Sequence, residues 1–170
     1  MDELIKEAKK GNPDAFTRLM QSQMQRMYKT ALALLRNDAD AGDAISETIL
    51  TCWEKINQLK YEKYFNTWLT KILINKCNDI LRQQTKLTYT DEMIEIPFND
   101  TSFENAEWKE ALNSLDERYR LVIMLYYVEG FKTGEISQLL EIPESTVRTH
   151  LARGRVRLSR EYNLDRRKSV

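Results

Sequence analysis

Apolar residues recur along the first half of the chain at helical spacing. Phe16, Leu19, Met20, Met27, Tyr28, Ala31, Leu34 and Leu35 fall at the i, i+3, i+4 and i+7 positions of a helix with one buried face. Asn37 and Asp38 interrupt the pattern. A second stripe follows at Ala44, Ile45, Thr48, Ile49, Cys52, Trp53, Ile56 and Leu59, with Asp38 and Asp40 placed to cap it or to sit in its first turn. After a Lys- and Tyr-rich connector at 60–64 comes a third: Phe65, Trp68, Leu69, Ile72, Leu73, Cys77, Ile80 and Leu81. Stripes of this kind in succession predict an antiparallel bundle of three to four helices.

Beyond Gln83 the period dissolves into Thr, Asp, Asn and scattered apolar residues. Residues 87–106 read as an acidic linker, longer than the usual connection inside one compact domain. Periodicity resumes with Trp108, Leu112, Leu115, Leu121, Val122, Leu125 and Tyr126, and pauses at Gly130. The expectation is an all-α chain: a helical domain over 1–86, the linker, a second helical domain over 107–164 and a disordered tail over 165–170.

Inside the second domain the pattern becomes more specific. A short helix is predicted from about Thr133 to Leu140, then Glu141, Ile142 and Pro143, then a longer helix from Glu144. A three-residue turn between a short and a second helix is the geometry of a helix-turn-helix, whose second helix enters a major groove. Pro143 suits a first helical turn, where its missing N–H is not needed. On the longer helix Val147, Leu151 and Leu158 point inward by spacing. Ser145, Thr146, Arg148, Thr149, Ala152 and Arg153 occupy the opposite side, and Arg155, Arg157 and Arg160 extend the positive stripe. Arg pairs bidentately with guanine, and Ser and Thr reach bases or phosphates. The bland alternative is a solvated basic helix closing a bundle. His150 reads as a polar surface residue.

Charge changes the picture only when it is followed along the chain, because 26 Lys and Arg balance 26 Asp and Glu overall. Residues 144–170 carry eight basic against three acidic residues, and 61–86 carry five against two. Residues 87–110 carry one against seven. The basic excess therefore coincides with the helix-turn-helix and with the third helix. In the connector Lys60, Tyr61, Glu62, Lys63, Tyr64, Phe65 and Asn66, aromatics alternate with cations. That mixture suits unpaired DNA, where rings stack on bases and cations meet phosphates. A Tyr-rich loop packed under its own bundle is the competing reading.

Cys52 and Cys77 fall at apolar-periodic positions and are expected as buried thiols. No Cys-x-x-Cys or Cys/His cluster suggests a metal. With one His and no phosphate-cradling glycine loop, nothing points to an enzyme or a cofactor. The N-terminus lacks a leader pattern and no stretch is apolar enough to span a membrane, so a cytoplasmic protein is expected.

Taken as a whole, the chain resembles the extracytoplasmic-function sigma factors of bacterial RNA polymerase. In the first module Asp43-Ala44-Ile45-Ser46-Glu47-Thr48-Ile49-Leu50 with Trp53 resembles the family's acidic helix. There Phe65-Asn66-Thr67-Trp68-Leu69 with Ile72, Asn75, Asp79 and Arg82 resembles its promoter-melting helix, of the region 2 type. In the second module residues 115–126, Gly130-Phe131, Glu135-Ile136, Leu140, Ile142-Pro143, Thr146-Val147 and Arg153-Gly154-Arg155 resemble the region 4 type. Ser46 stands where the family usually has Gln, Gly134 where it favours a charged helix former, and Glu141 where Gly often makes the turn.

The resemblance implies a non-catalytic specificity subunit that directs promoter-specific initiation. Its partners would be core RNA polymerase, promoter DNA and an anti-sigma factor, which the family commonly links to a membrane, with no small-molecule substrate. Asp38, Asp40, Asp43, Glu47, Leu50 and Trp53 would dock on the polymerase; without the family match those acids read as a solvated face. Lys60, Tyr61, Lys63, Tyr64, Phe65, Asn66, Asn75, Lys76, Asp79 and Arg82 would read and open the −10 element. Ser145, Thr146, Arg148, Thr149, Arg153 and Arg155 would read the −35 element. The acidic linker either threads the polymerase channel or serves as a plain tether. A stand-alone regulator using the same helix-turn-helix is the alternative, and it leaves the acidic face and the Tyr-rich connector without a role.

Overall fold

The computed structural model describes residues 1–87 and 111–168, with side chains described for 1–85 and 111–160. Among them every regular element is helical. The chain gathers into two compact units, Met1–Ile96 and Pro97–Val170. The predicted linker from residue 88 onward, and Trp108, lie outside the described residues.

The first unit contains α1 (Asp2–Lys9), α2 (Pro13–Leu35), α3 (Asp38–Lys55) and α4 (Phe65–Leu87), with 3-10 turns at Ile56–Gln58 and Glu62–Tyr64. The helix α1 has no counterpart in the sequence reading. Only eight residues long, it offers too few apolar positions for periodicity to register, yet Ile5 and Ala8, one turn apart, are both buried. Each following junction is set by local chemistry. The Asn12 side chain accepts from the amides of Asp14 and Ala15 at 3.0 and 3.1 Å, and Pro13 opens α2 where no N–H is missed. At the far end Arg36 adopts φ 55°, and its amide closes the helix on the Leu32 carbonyl at 3.0 Å. Asn37 then caps α3 by accepting from the Asp40 amide at 3.0 Å. Asp38 and Asp40 are therefore first-turn acids, favoured by the exposed N–H groups there, and Asn37 is the cap.

Phe16, Leu19, Met20, Met27, Ala31, Leu34, Ala44, Ile45, Cys52, Ile56, Leu59, Phe65, Leu69, Leu73 and Cys77 form the core, as the stripes predicted. Thr48, also buried, satisfies its hydroxyl on the Ala44 carbonyl at 2.7 Å. Both thiols are buried, which pushes each up to about 12.

In the second unit α5 (Glu117–Ile123) runs into a π-helical turn at Met124–Val128, followed by α6 (Thr133–Leu140) and α7 (Glu144–Lys168). The wider turn closes with the Glu129 amide on the Met124 carbonyl at 3.0 Å. It breaks the helical period, so Tyr126, which spacing had placed on the inner face, is exposed beside Tyr127 and Val128. Gly130, at φ 75°, ends the turn, and Phe131 is buried.

Between α6 and α7, Glu141 takes the left-handed conformation at φ 55°, which costs a non-glycine residue about 1–2 kcal/mol. The turn is held nearby: Ser137 Oγ donates to the Ile142 carbonyl at 2.6 Å, and the Thr133 hydroxyl donates to Glu144 at 2.6 Å. Pro143 precedes α7 and does not open it; its carbonyl accepts from the amides of Thr146 and Val147 at 2.9 and 3.1 Å. The helix α7 continues to Lys168, into the segment expected as a tail from 165.

Gly154 has a further role. A Cβ built there would lie 3.0 Å from Ile123 Cγ1 and 3.2 Å from its Cδ1. Glycine at this position lets α7 approach α5 closely. Arg120, within α5, is buried and donates to the Leu115 carbonyl at 2.8 Å, a role no pattern indicated.

Candidate nucleic-acid interface

The second helix of the helix-turn-helix, α7, buries Val147, Leu151 and Leu158. Steps of three and four residues then place Ser145, Arg148, Thr149, Ala152 and Arg153 on the outside, all exposed, with Thr146 half-buried at the rim. Arg148 is paired within the helix: its guanidinium donates to Glu144 at 2.7 Å. The Glu144 carboxyl lies below its usual range because the Thr133 hydroxyl and then Arg148 stabilise its charged form. Arg155 Nε donates to the Leu151 carbonyl at 3.3 Å.

Farther along, Arg157 pairs with Asp116 at 2.8 Å. The guanidinium carbons of Arg157 and Arg118 lie 4.8 and 5.0 Å from the centroid of the buried Tyr119 ring, in the range of cation–π attraction. The His150 ring meets Tyr119 edge-on at 5.3 Å. Its Nδ1 is buried with no partner in the described chain, and burial, then Arg118 and Arg153, lower its proton affinity. His150 is therefore half-buried against an aromatic ring, more enclosed than the surface position expected. An open groove of about 400 Å³ runs alongside, lined by Tyr119, Ala152, Arg153, Val156, Arg157 and Arg160. Cations in such a groove neutralise phosphates, while the short side chains nearer the start of α7 leave room for base edges.

In the first unit the connector forms the second candidate surface. Tyr61 and Tyr64 are 60% and 51% exposed, their rings edge-to-face at 6.1 Å. Lys63 Nζ lies 4.9 Å from the Tyr64 ring and 5.9 Å from the Tyr61 ring. Such exposure of two phenol rings contradicts a loop tucked under its own bundle. Phe65 is different: at 1% exposure it belongs to the core, close to Trp68 with ring centroids 6.2 Å apart. Its expected contact with a base is thereby corrected to support of the turn from beneath. Asn66 is half-buried, and its Oδ1 is buried without a partner in the described chain. Along α4, Asn75, Asp79 and Arg82 are exposed, and Arg82 lies 3.6 Å from Asp79.

The third surface is the outer face of α3, where Asp43 and Glu47 are exposed with Leu50 at 59% and Trp53 at 42%. Trp53 rests edge-on against Phe16 with centroids 4.9 Å apart. Asp38 accepts from the Tyr28 hydroxyl at 2.5 Å and Asp40 from the Gln84 amide at 2.7 Å. Ser46 turns its hydroxyl back onto the Gly42 carbonyl at 2.9 Å. The sequence treats the acidic face of α3 and the polar face of α4 as separate surfaces, but folding sets them side by side: Lys76 Nζ lies 3.6 Å from Glu47.

One contact beneath the connector had no signal in the sequence. Lys9, at the end of α1, donates to Glu62 Oε1 at 3.1 Å. The Glu62 carboxyl is held below its usual range by its own backbone amide and then by Lys9. The two residues are 53 apart in sequence, beyond the reach of any local pattern.

Comparison with known proteins agrees with this division. Residues 19–87 match the family Sigma-70 region 2, and residues 106–158 match Sigma-70, region 4. The ECF RNA polymerase sigma factor SigW of Bacillus subtilis is 27% identical over 92% of this chain and 94% of its own. The RNA polymerase sigma factor SigV of the same organism is 29% identical over 81% and 87%. Among solved structures, the sigma factor RpoE of Bartonella quintana, crystallised with the anti-sigma factor NepR, shares the fold. Its TM-score is 0.77 at 19% identity, covering 88% of this chain and 98% of that one. CnrH, solved with the cytosolic domain of CnrY, gives 0.70 at 22% identity over 96% and 97%. With both modules in family order and such relatives along most of its length, the chain belongs to the extracytoplasmic-function sigma factors, the promoter-recognising subunits of bacterial RNA polymerase.

Proposed function

We propose that this protein docks on core RNA polymerase through the α3 face of Asp38, Asp40, Asp43, Glu47, Leu50 and Trp53. Its two DNA-facing surfaces then direct initiation. Ser145, Thr146, Arg148, Thr149, Arg153 and Arg155 read the −35 element in the major groove. Lys60, Tyr61, Lys63, Tyr64 and Asn66, with Asn75, Lys76, Asp79 and Arg82 on α4, capture the −10 element as it opens, while Phe65 holds the turn. Flipping a base out of the stack costs a few kcal/mol, which ring stacking and hydrogen bonds offset. The protein contributes no covalent chemistry of its own; the polymerase supplies it.

The observation that carries this reading is the second helix of the helix-turn-helix, anchored by three buried apolar residues and presenting short hydrogen-bonding side chains and arginines outward. The domain assignment follows the same logic: 1–86 for polymerase and the −10 element, 107–164 for the −35 element, joined by the acidic segment 87–106. An anti-sigma factor is proposed as a further partner, acting in the cytoplasm, by analogy with the partners named for RpoE and CnrH.

The test is pull-down with bacterial core polymerase followed by run-off transcription from a pool of genomic promoters. Stable association and promoter-specific transcripts absent from core alone support the proposal. No association, with tight operator binding by the protein alone, overturns it in favour of a stand-alone regulator.

A further inference from the structure

The exposed rings of Tyr61 and Tyr64 sit on a single 3-10 turn, Glu62–Tyr64. So short a turn has little hydrogen bonding of its own: the Tyr64 amide meets the Tyr61 carbonyl at 3.1 Å. Something else must fix where the rings point. From below, Phe65 is anchored in the core. Laterally, Lys9 pairs with Glu62 at 3.1 Å, with the two side chains only 24% and 26% exposed, and Lys6 of the same helix adds a weaker pull on the Glu62 carboxylate. Lys9 is itself held, because α1 buries Ile5 and Ala8.

We infer that α1 is a brace for the promoter-opening loop, and that Lys9 is a positioning residue which orients Tyr61 and Tyr64 through Glu62. This rests on the proposed role of the loop in capturing the −10 element. Within the turn Glu62 carries the ion pair to α1, and it lies between the two tyrosines in sequence. Lys63, the next residue, directs its ammonium toward both rings, so a shift of Glu62 would move cation and rings together. Preorganised rings lose less freedom when a base stacks on them, and the benefit appears in the melting step. It does not appear in the first encounter, which the helix-turn-helix and phosphate contacts govern.

The experiment uses full-length protein reconstituted with core polymerase on a promoter recovered from the run-off pool. Closed-complex affinity is measured by gel shift at low temperature and opening by permanganate reactivity of unpaired thymines. Lys9→Ala and Glu62→Ala should each slow opening by roughly 1.5- to fivefold, the range of a partly exposed ion pair, with closed-complex affinity unchanged. The reversed pair, Lys9→Glu with Glu62→Lys, should recover most of the rate. That recovery separates positioning from a general loss of structure or of charge.

Tyr64→Ala serves as the control for the loop itself. If Tyr64→Ala slows opening while Lys9→Ala does not, the loop reads DNA but α1 does not position it, and the inference is overturned. If neither affects opening, the reading of the loop falls and the inference with it. Equal loss in both single variants with no recovery in the reversed pair also overturns the inference.

Discussion

Gly154 offers the sharpest test of the packing that places the recognition helix. A methyl group there would lie 3.0 and 3.2 Å from two carbons of Ile123 and 3.5 Å from Tyr119 Cβ. Carbon atoms prefer about 3.5–4.0 Å, so Ile123 must give way by a few tenths of an ångström. Ile123 is fully buried, and overpacking a filled core costs about 1–3 kcal/mol. Against this, alanine in a helix interior gains about 1 kcal/mol over glycine. Gly154→Ala should therefore destabilise the second unit by about 1 kcal/mol. Hydrogen exchange of the full-length protein reads this locally: amides in 117–128 and 147–158 should exchange about fivefold faster. In an Ile123→Ala background the obstacle is gone, and the same substitution should become stabilising, a coupling of about 2 kcal/mol. Slower exchange in Gly154→Ala alone would refute the reasoning, because propensity would then outweigh a close approach that glycine was supposed to permit.

Arg148→Ala or Arg153→Ala should each cost about 1–3 kcal/mol in discrimination between matched and scrambled −35 sites; competition binding with holoenzyme measures it, and undiminished discrimination counts against the proposed groove contacts. Asp43→Lys with Glu47→Lys should abolish polymerase pull-down while circular dichroism stays unchanged, and retained binding would mean the polymerase docks elsewhere. Cys52 and Cys77, with thiols pushed up to about 12, should resist alkylation at pH 8 until urea unfolds the chain; rapid labelling of native protein would contradict their burial. Because the folded Glu144 carboxyl lies below its ordinary 4.5, its stabilising contribution should be complete above that value and fade as pH falls through the folded one. Glu144→Gln should remove that part of the pH dependence in hydrogen exchange of 133–148, and an identical profile in both proteins would exclude it.

Much of this was legible in the amino-acid order. The stripes from Phe16 to Leu81 identify helices whose inner faces are the observed core, apart from Trp53, which is 42% exposed, because burial on one side imposes a period that survives in a linear string. The helix-turn-helix is legible for the same reason, while only the family resemblance, with Gly where Glu141 stands, points to the left-handed φ of 55° there. The failures have physical causes. Eight residues are too short for a period, so α1 passed unnoticed. The π turn at Met124–Val128 widens the helix and breaks the spacing within it, where Tyr126 sits. Phe65 was grouped with the exposed tyrosines beside it because adjacency in sequence does not tell which ring faces the core.

What the sequence determined by itself is therefore the longer helices, most of their buried faces and the chemistry carried on their outer ones, all local properties with a repeat of three or four residues. The tertiary structure decided which distant side chains meet: Lys9 with Glu62, Glu47 with Lys76, Arg157 with Asp116, and Gly154 with Ile123. Those pairings depend on how helix faces pack and on interaxial separations of about 8–10 Å between helices, information that no local pattern holds. They fix how the connector, the acidic face and the second helix of the helix-turn-helix are each held on their own unit.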